Sequence, residues 1–236
     1  MELQFKEEKI GNAPVIMVYQ DSPYEAAKKG TILFYHGMLS HKMGSEKEVK
    51  SLAENGFLTV SVDNFGHGGR KISDYNTRFS SHNPDFESSF INAVEETVNE
   101  VPFIVDELSK EIICDSKLGI CGISMGGFIV YGAVAKDKRF KVACPIAGCP
   151  KWPRGDSPHL KPEHFYPTAL LAQNGGNDVS VWPTPAREFN QVLLPYYAAE
   201  PEKLVYVEFE GEGHFMSEQG WFFLWENVLT WFKHFL

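Results

Sequence analysis

The chain has 236 residues, 43% of them hydrophobic and 22% charged, with a formal net charge of −9. That length fits one large α/β domain or two small ones, and the composition can bury a sizeable core, which excludes a disordered chain. The acidic balance without any basic run argues against nucleic-acid binding, and no apolar stretch approaches the roughly 18 residues that read as a membrane span.

The elements are predicted in chain order. Leu3 to Val18 alternates loosely and predicts a β-hairpin around Gly11-Asn12. Thr31–Tyr35 is a β-branched and aromatic strand ending at His36-Gly37, and Glu46–Asn55 has a helical pattern. Phe57–Val62 is the next strand and runs into the loop Asp63 to Arg70. Phe90, Val94, Val98, Val101, Val105, Leu108 and Ile112 recur at spacings of three and four, one stripe of a helix that Pro102 is expected to kink or interrupt. Lys117–Cys121 predicts a buried strand and Gly126–Ala135 a helix. Strands follow at Val142–Ala147, Ala169–Gln173 and Leu204–Phe209, and an aromatic helix begins at Ser217 with Trp221, Leu224, Trp225, Val228, Trp231 and Phe232 on it. Near-continuous apolar strands alternating with helical patterns imply a mostly parallel sheet covered on both faces, in a single domain over 1–236. The proline-rich segment 151–167 breaks the regularity and is expected to be a short loop or a small cap over the site.

Between the Lys117–Cys121 strand and the Gly126–Ala135 helix stands Gly122-Ile123-Ser124-Met125-Gly126. The pattern G-x-S-x-G on a strand-to-helix turn is a nucleophile elbow, in which flanking glycines remove side chains that would collide around an exposed serine. A serine hydroxyl needs an imidazole to take its proton and an acid to orient that imidazole. Asp178, in Gly175-Gly176-Asn177-Asp178, follows one strand, and His214, in Gly211-Glu212-Gly213-His214, follows the next. The expected triad is therefore Ser124, Asp178 and His214. Asp156 and Glu212 compete as acids, and His159 and His164 as bases; Glu212 stands too close to His214 in sequence to orient it readily. The oxyanion needs two backbone N–H groups. Met125, after the nucleophile, is one candidate, and Met38, in the turn after the Thr31–Tyr35 strand, is the other. Trp152, Phe165, Tyr166 and Trp182 are candidates for an apolar substrate pocket. Gly66-His67-Gly68-Gly69 lacks the lysine and hydroxyl residue of a phosphate loop, and His67 reads as structural. No metal or cofactor is expected. The four cysteines, Cys114, Cys121, Cys144 and Cys149, form no C-x-x-C pair, and two fall in apolar strands as reduced core thiols. The stretch from Met1 to Glu8 carries no apolar leader, so a cytoplasmic protein is expected.

With His36-Gly37-Met38, Asp63 to Gly68, Gly122 to Gly127, Asn177-Asp178 and Gly213-His214, nearly the whole chain resembles the α/β-hydrolase superfamily. The Ser-Met-Gly-Gly elbow and the Asp-x-x-Gly-His-Gly loop are most similar to small bacterial serine esterases of the dienelactone-hydrolase-like and prolyl-oligopeptidase-like branch. The resemblance implies an eight-stranded, mostly parallel sheet and a Ser-Asp-His triad. Dienelactone hydrolases proper carry cysteine where Ser124 stands, so lactone hydrolysis of that kind is not implied. No propeller sequence accompanies the catalytic segment, which argues against peptide cleavage. The expected activity is a serine carboxylesterase acting through an acyl-enzyme on small, short-acyl esters. The alternatives are an acyltransferase or lyase on the same scaffold, or a binding protein without chemistry.

Overall fold

A computed structural model describes residues 2–111, 117–153 and 156–236. The predicted helix position Ile112 and Cys114 lie outside the described residues, as do residues 154–155 of the proline-rich segment. Eight strands form one sheet: β1 (Gln4–Ile10), β2 (Ala13–Tyr19), β3 (Thr31–Tyr35), β4 (Leu58–Val62), β5 (Leu118–Ile123), β6 (Phe140–Ile146), β7 (Ala169–Gly175) and β8 (Leu204–Phe209). Their order across the sheet is β1-β2-β4-β3-β5-β6-β7-β8. The sheet is mixed: β1 with β2 and β2 with β4 pair antiparallel, and every pairing from β4 through β8 is parallel. The hairpin expected around Gly11-Asn12 supplies the antiparallel edge.

Among the described residues seven α-helices accompany the sheet: α1 (Pro23–Lys29), α2 (Glu46–Glu54), α3 (Tyr75–Arg78), α4 (Phe86–Glu111), α5 (Met125–Lys136), α6 (Thr184–Leu193) and α7 (Glu218–Phe235). Alternate residues of each strand feed opposite cores. Leu33, Ile120, Ala143 and Leu170 pack toward α4, α5 and α6, and Ile32, Cys121, Cys144 and Leu171 toward α2 and α7. Each fully buried leucine or isoleucine among them stabilises by about 1.5–3 kcal/mol relative to exposure. Helix α5 is apolar nearly all round, and only Phe128 and Lys136 among its residues are not buried, because α4 covers its outer side.

Two expectations need correction. Helix α4 runs from Phe86 to Glu111 without the interruption expected at Pro102. An interior proline costs about 3 kcal/mol, which burial of Val98, Val101, Ile104 and Val105 along the same stripe outweighs. The proline's own carbonyl accepts from Arg139 Nη2 at 3.1 Å. Second, α1, α3 and α6 are helices where no helix was expected; Ser22 caps α1 by accepting from the Glu25 amide at 3.1 Å. The described part of 151–167, expected to be a short loop or a small cap, is a loop that runs as a crossover strap along α5. It must bring the chain from the carboxyl end of β6 to the amino end of the parallel β7, and it does so along α5 through two single 3₁₀ turns, Pro158–Leu160 and Pro162–His164. His164 Nδ1 donates to the Ala135 carbonyl at 2.6 Å, and Phe165 is fully buried. Among the described residues no helix is long and apolar enough to cross a membrane.

Candidate active site

The loops that carry the candidate triad and oxyanion residues leave the carboxyl ends of β3, β5, β7 and β8, where crevices form in parallel sheets. The elbow is set by backbone crowding. A Cβ on Gly126 would lie 2.0 Å from the Tyr35 carbonyl oxygen, and one on Gly122 would lie 2.4 Å from that of Gly126. Between them Ser124 sits at φ 56°, ψ −114°, a conformation that L-residues hold only under constraint. Its amide donates to the Ile146 carbonyl at 2.8 Å, and its own carbonyl accepts from Gly127 and Phe128. Ser124 is thereby the N-cap residue of α5, with its hydroxyl aimed away from the helix.

Ser124 Oγ lies 2.9 Å from His214 Nε2, and His214 Nδ1 lies 2.7 Å from Asp178 Oδ2. Asp178 is 1% exposed. Its other oxygen, Oδ1, accepts from the amides of Ser180 and Val181, both at 2.8 Å. The carboxylate is thus an acceptor on both oxygens, and Nδ1 must carry the proton it shares with Oδ2. That leaves Nε2 with a lone pair facing the serine hydroxyl. The loops bearing acid and base are tied together: Asn177 N donates to Glu212 O at 2.8 Å and Gly176 N to Phe209 O at 2.8 Å. Gly175 permits this approach, since a Cβ there would fall 2.5 Å from the Gly213 carbonyl oxygen.

The competing acids and bases are engaged elsewhere. Glu212 accepts from the Ser217 amide at 2.7 Å and from the Ser217 hydroxyl at the start of α7, and these bonds hold its carboxyl below the usual range. Asp156 is exposed and pairs with Lys161 at 3.4 Å. His159 Nδ1 lies 2.7 Å from Ser157 Oγ within the strap.

The first amides of a helix have no intrahelical acceptor, and Met125 is the first residue of α5. Met38 follows Gly37, whose Cβ position lies 3.7 Å from Ser124 Cβ, so the turn after β3 borders the nucleophile. His36, fully buried, stands behind this turn. Its Nδ1 lies 2.7 Å from the Gly37 carbonyl oxygen, and its Nε2 accepts from the Asn64 amide at 3.1 Å. Burial brings its pKa down to about 4. Beside it, Asp63 accepts from the amides of Lys42 at 2.6 Å and Gly69 at 2.8 Å. His67 is buried against Tyr75 and Phe79, ring to ring, in keeping with a structural histidine.

Of the four candidate pocket aromatics, Phe165 and Tyr166 lie away from the triad and Trp152 is buried against α5. Trp152 is 6% exposed; its indole packs over Gly132 of α5 and donates to Cys149 O at 2.9 Å. Phe165 packs against Tyr131 and Phe189 just before β7 begins, at the opposite end of the sheet from the triad. Tyr166 is beside it, with its hydroxyl donating to Glu200 at 2.8 Å. For Phe165 and Tyr166 the reason is topological: residues immediately preceding a parallel strand stand at its amino end. Trp182, in the loop after β7 that carries Asp178, belongs to the site end of the sheet. It is 65% exposed and helps line a groove of about 350 Å³ with Asp178, Val179, Pro183, Arg187 and Glu208. Sequence reasoning missed Leu39, Val179 and Phe215, which are also exposed. Each directly follows a candidate site residue, and that adjacency was the available signal.

A mixed eight-stranded sheet of this order, flanked by helices and carrying its serine on a strained elbow after β5, defines a member of the α/β-hydrolase superfamily. The model of the family described as serine aminopeptidase, S33, matches residues 26–154, just over half of the chain. The chain belongs to that family, and so to the hydrolases of esterase and peptidase type. It is 22% identical over 244 aligned residues to YitV of Bacillus subtilis (strain 168), whose name proposes an esterase, covering 90% of this chain and 92% of that one. The crystal structure of TT1662 from Thermus thermophilus superposes with a TM-score of 0.81 at 20% identity, covering 99% of this chain and 98% of the other. A cold-adapted esterase from an Arctic intertidal metagenomic library superposes at 0.66 with 16% identity, over 99% and 94% of the two chains.

Proposed function

We propose that the chain is a serine carboxylic-ester hydrolase working through an acyl-enzyme on small, short-acyl esters. The observation that carries the reading is the continuous hydrogen-bonded line Ser124 Oγ, His214 Nε2, His214 Nδ1, Asp178 Oδ2 at 2.9 and 2.7 Å. In this reading His214 takes the proton of Ser124 as Oγ attacks the ester carbonyl. The carbonyl oxygen becomes an alkoxide and is received by the amides of Met38 and Met125. The C–O bond to the alcohol breaks as His214 delivers the same proton to the leaving oxygen. Water then repeats the sequence on the acyl-Ser124 ester, and the carboxylic acid leaves. Asp178 remains ionised throughout and holds the imidazole tautomer. Exposed Leu39, Val179, Trp182 and Phe215 around these residues suit a substrate with apolar groups on either side of its carbonyl.

The family's description favours a second reading, hydrolysis of an aminoacyl amide. Turnover of p-nitrophenyl acetate and of leucine p-nitroanilide, each by wild type and Ser124→Ala, tests both. Ester turnover that Ser124→Ala lowers by several orders of magnitude supports the esterase reading. Anilide turnover equal to ester turnover supports the amidase. Ser124→Ala retaining most of the ester activity removes the serine mechanism altogether.

A further inference from the structure

We infer that His36 is a positioning residue: its Nδ1–H clamps the Gly37 carbonyl and so aims the Met38 amide at the developing oxyanion. The inference rests on the esterase reading and on Met38 as one of the two oxyanion donors. A peptide unit is planar and trans, so the Gly37 C=O and the Met38 N–H belong to one rigid plate and point in opposite directions. Fixing the oxygen fixes the hydrogen. The Gly37 oxygen can only accept, so the contact at 2.7 Å requires the proton on Nδ1. The Asn64 amide can only donate, so its 3.1 Å contact requires a lone pair on Nε2. The two bonds together admit a single form of the ring, the neutral Nδ1–H tautomer.

The clamp is itself held. Asn64 Nδ2 donates to the His36 carbonyl at 2.9 Å, and Asn64 O accepts from Arg70 Nε at 3.2 Å. Arg70 makes a two-pronged pair with Glu100 of α4 at 2.9 and 2.6 Å. His36 is 0% exposed and touches neither Ser124 nor His214 by any hydrogen bond among the described residues. Its service is therefore geometric. The Met38 amide is backbone, deleted only by a proline at 38, and His36 is the side chain through which it can be moved.

Two substitutions separate the two bonds. In His36→Asn the amide Nδ2 falls where Nδ1 stood and can still donate to Gly37 O, while the partner of Asn64 N is lost. In His36→Gln the oxygen falls where Nε2 stood and can still accept from Asn64 N, while the donor to Gly37 O is lost. Loss of one oxyanion donor lowers kcat by about 10²–10³-fold. His36→Gln is expected to lose kcat in that range with KM within about threefold, and His36→Asn is expected to lose less than about tenfold. The inhibition constant of a trifluoromethyl ketone, whose adduct carries the oxyanion, is expected to rise in His36→Gln by the same factor as kcat/KM falls. A merely structural role would lower both variants' activity alike and leave that proportionality absent. Equal losses in the two variants, or wild-type kcat in His36→Gln, overturn the inference; if Ser124→Ala is inactive at the same time, the esterase reading stands. If either variant fails to fold, ¹⁵N NMR of histidine in the intact wild-type chain decides. A protonated Nδ1 on His36 supports the clamp, and a protonated Nε2 overturns it.

Discussion

Asp178→Asn isolates what the buried carboxylate contributes. Oδ1 of Asp178 takes two backbone N–H bonds from Ser180 and Val181, each at 2.8 Å. In the asparagine only the carbonyl oxygen can accept them, so the amide nitrogen must turn toward His214 Nδ1. Two donors then face each other across 2.7 Å unless the imidazole shifts its proton to Nε2. That shift repairs the contact but points an N–H at Ser124 Oγ, where a lone pair is needed. The loop keeps both backbone bonds, so the fold is expected to survive. Loss of the correct tautomer costs about 10⁴ in kcat, equivalent to about 5.5 kcal/mol of barrier. Steady-state hydrolysis of p-nitrophenyl acetate reads this directly, with KM expected to change little. A folded Asp178→Asn protein with kcat within tenfold of wild type would refute the tautomer argument.

Other outcomes follow from the packing and protonation described above. Phe165→Ala is expected to lower stability by about 3–5 kcal/mol in urea unfolding with KM unchanged, because Phe165 is core at the far end of the sheet. Trp182→Ala is expected to do the reverse, raising KM for esters with bulky groups while shifting the urea midpoint by less than about 0.5 kcal/mol in stability. Gly126→Ala drives a Cβ to 2.0 Å from the Tyr35 oxygen and is expected to cost at least about 3 kcal/mol, seen as loss of soluble protein or of the thermal transition. Burial brings the His36 pKa from 6.5 to about 4, so between those values the unfolded chain binds the proton that the folded chain refuses. Stability therefore falls as pH drops from 6.5 to 4, by about 3 kcal/mol from this group. Urea midpoints measured across that range in wild type and His36→Asn test the slope; identical slopes count against it.

The hairpin, the strands and the amphipathic helices were legible because each carries its own period. The elbow was legible because backbone crowding leaves glycine as the residue that fits at 122 and 126. The sequence order Ser124, Asp178, His214 at successive strand ends was enough to nominate residues that the fold then brings within hydrogen-bond reach. The misreadings concern what a linear reading cannot carry. Phe165 and Tyr166 are near the site in sequence terms but precede a parallel strand, so they stand a full strand length away from its carboxyl end. Pro102 signals a break by local propensity, and long-range burial along the α4 stripe overrides it. His36 looked like the end of a strand; its two-sided hydrogen bonding depends on Asn64, which the pairing of β3 with β4 brings beside it.

Intact-protein mass spectrometry after treatment with a fluorophosphonate tests the active-site account most directly. One phosphonyl group per chain on the peptide containing Ser124, absent from Ser124→Ala and formed at least about 10²-fold more slowly in His214→Ala, is the predicted result. An unlabelled Ser124 in a preparation that still hydrolyses p-nitrophenyl acetate would contradict it.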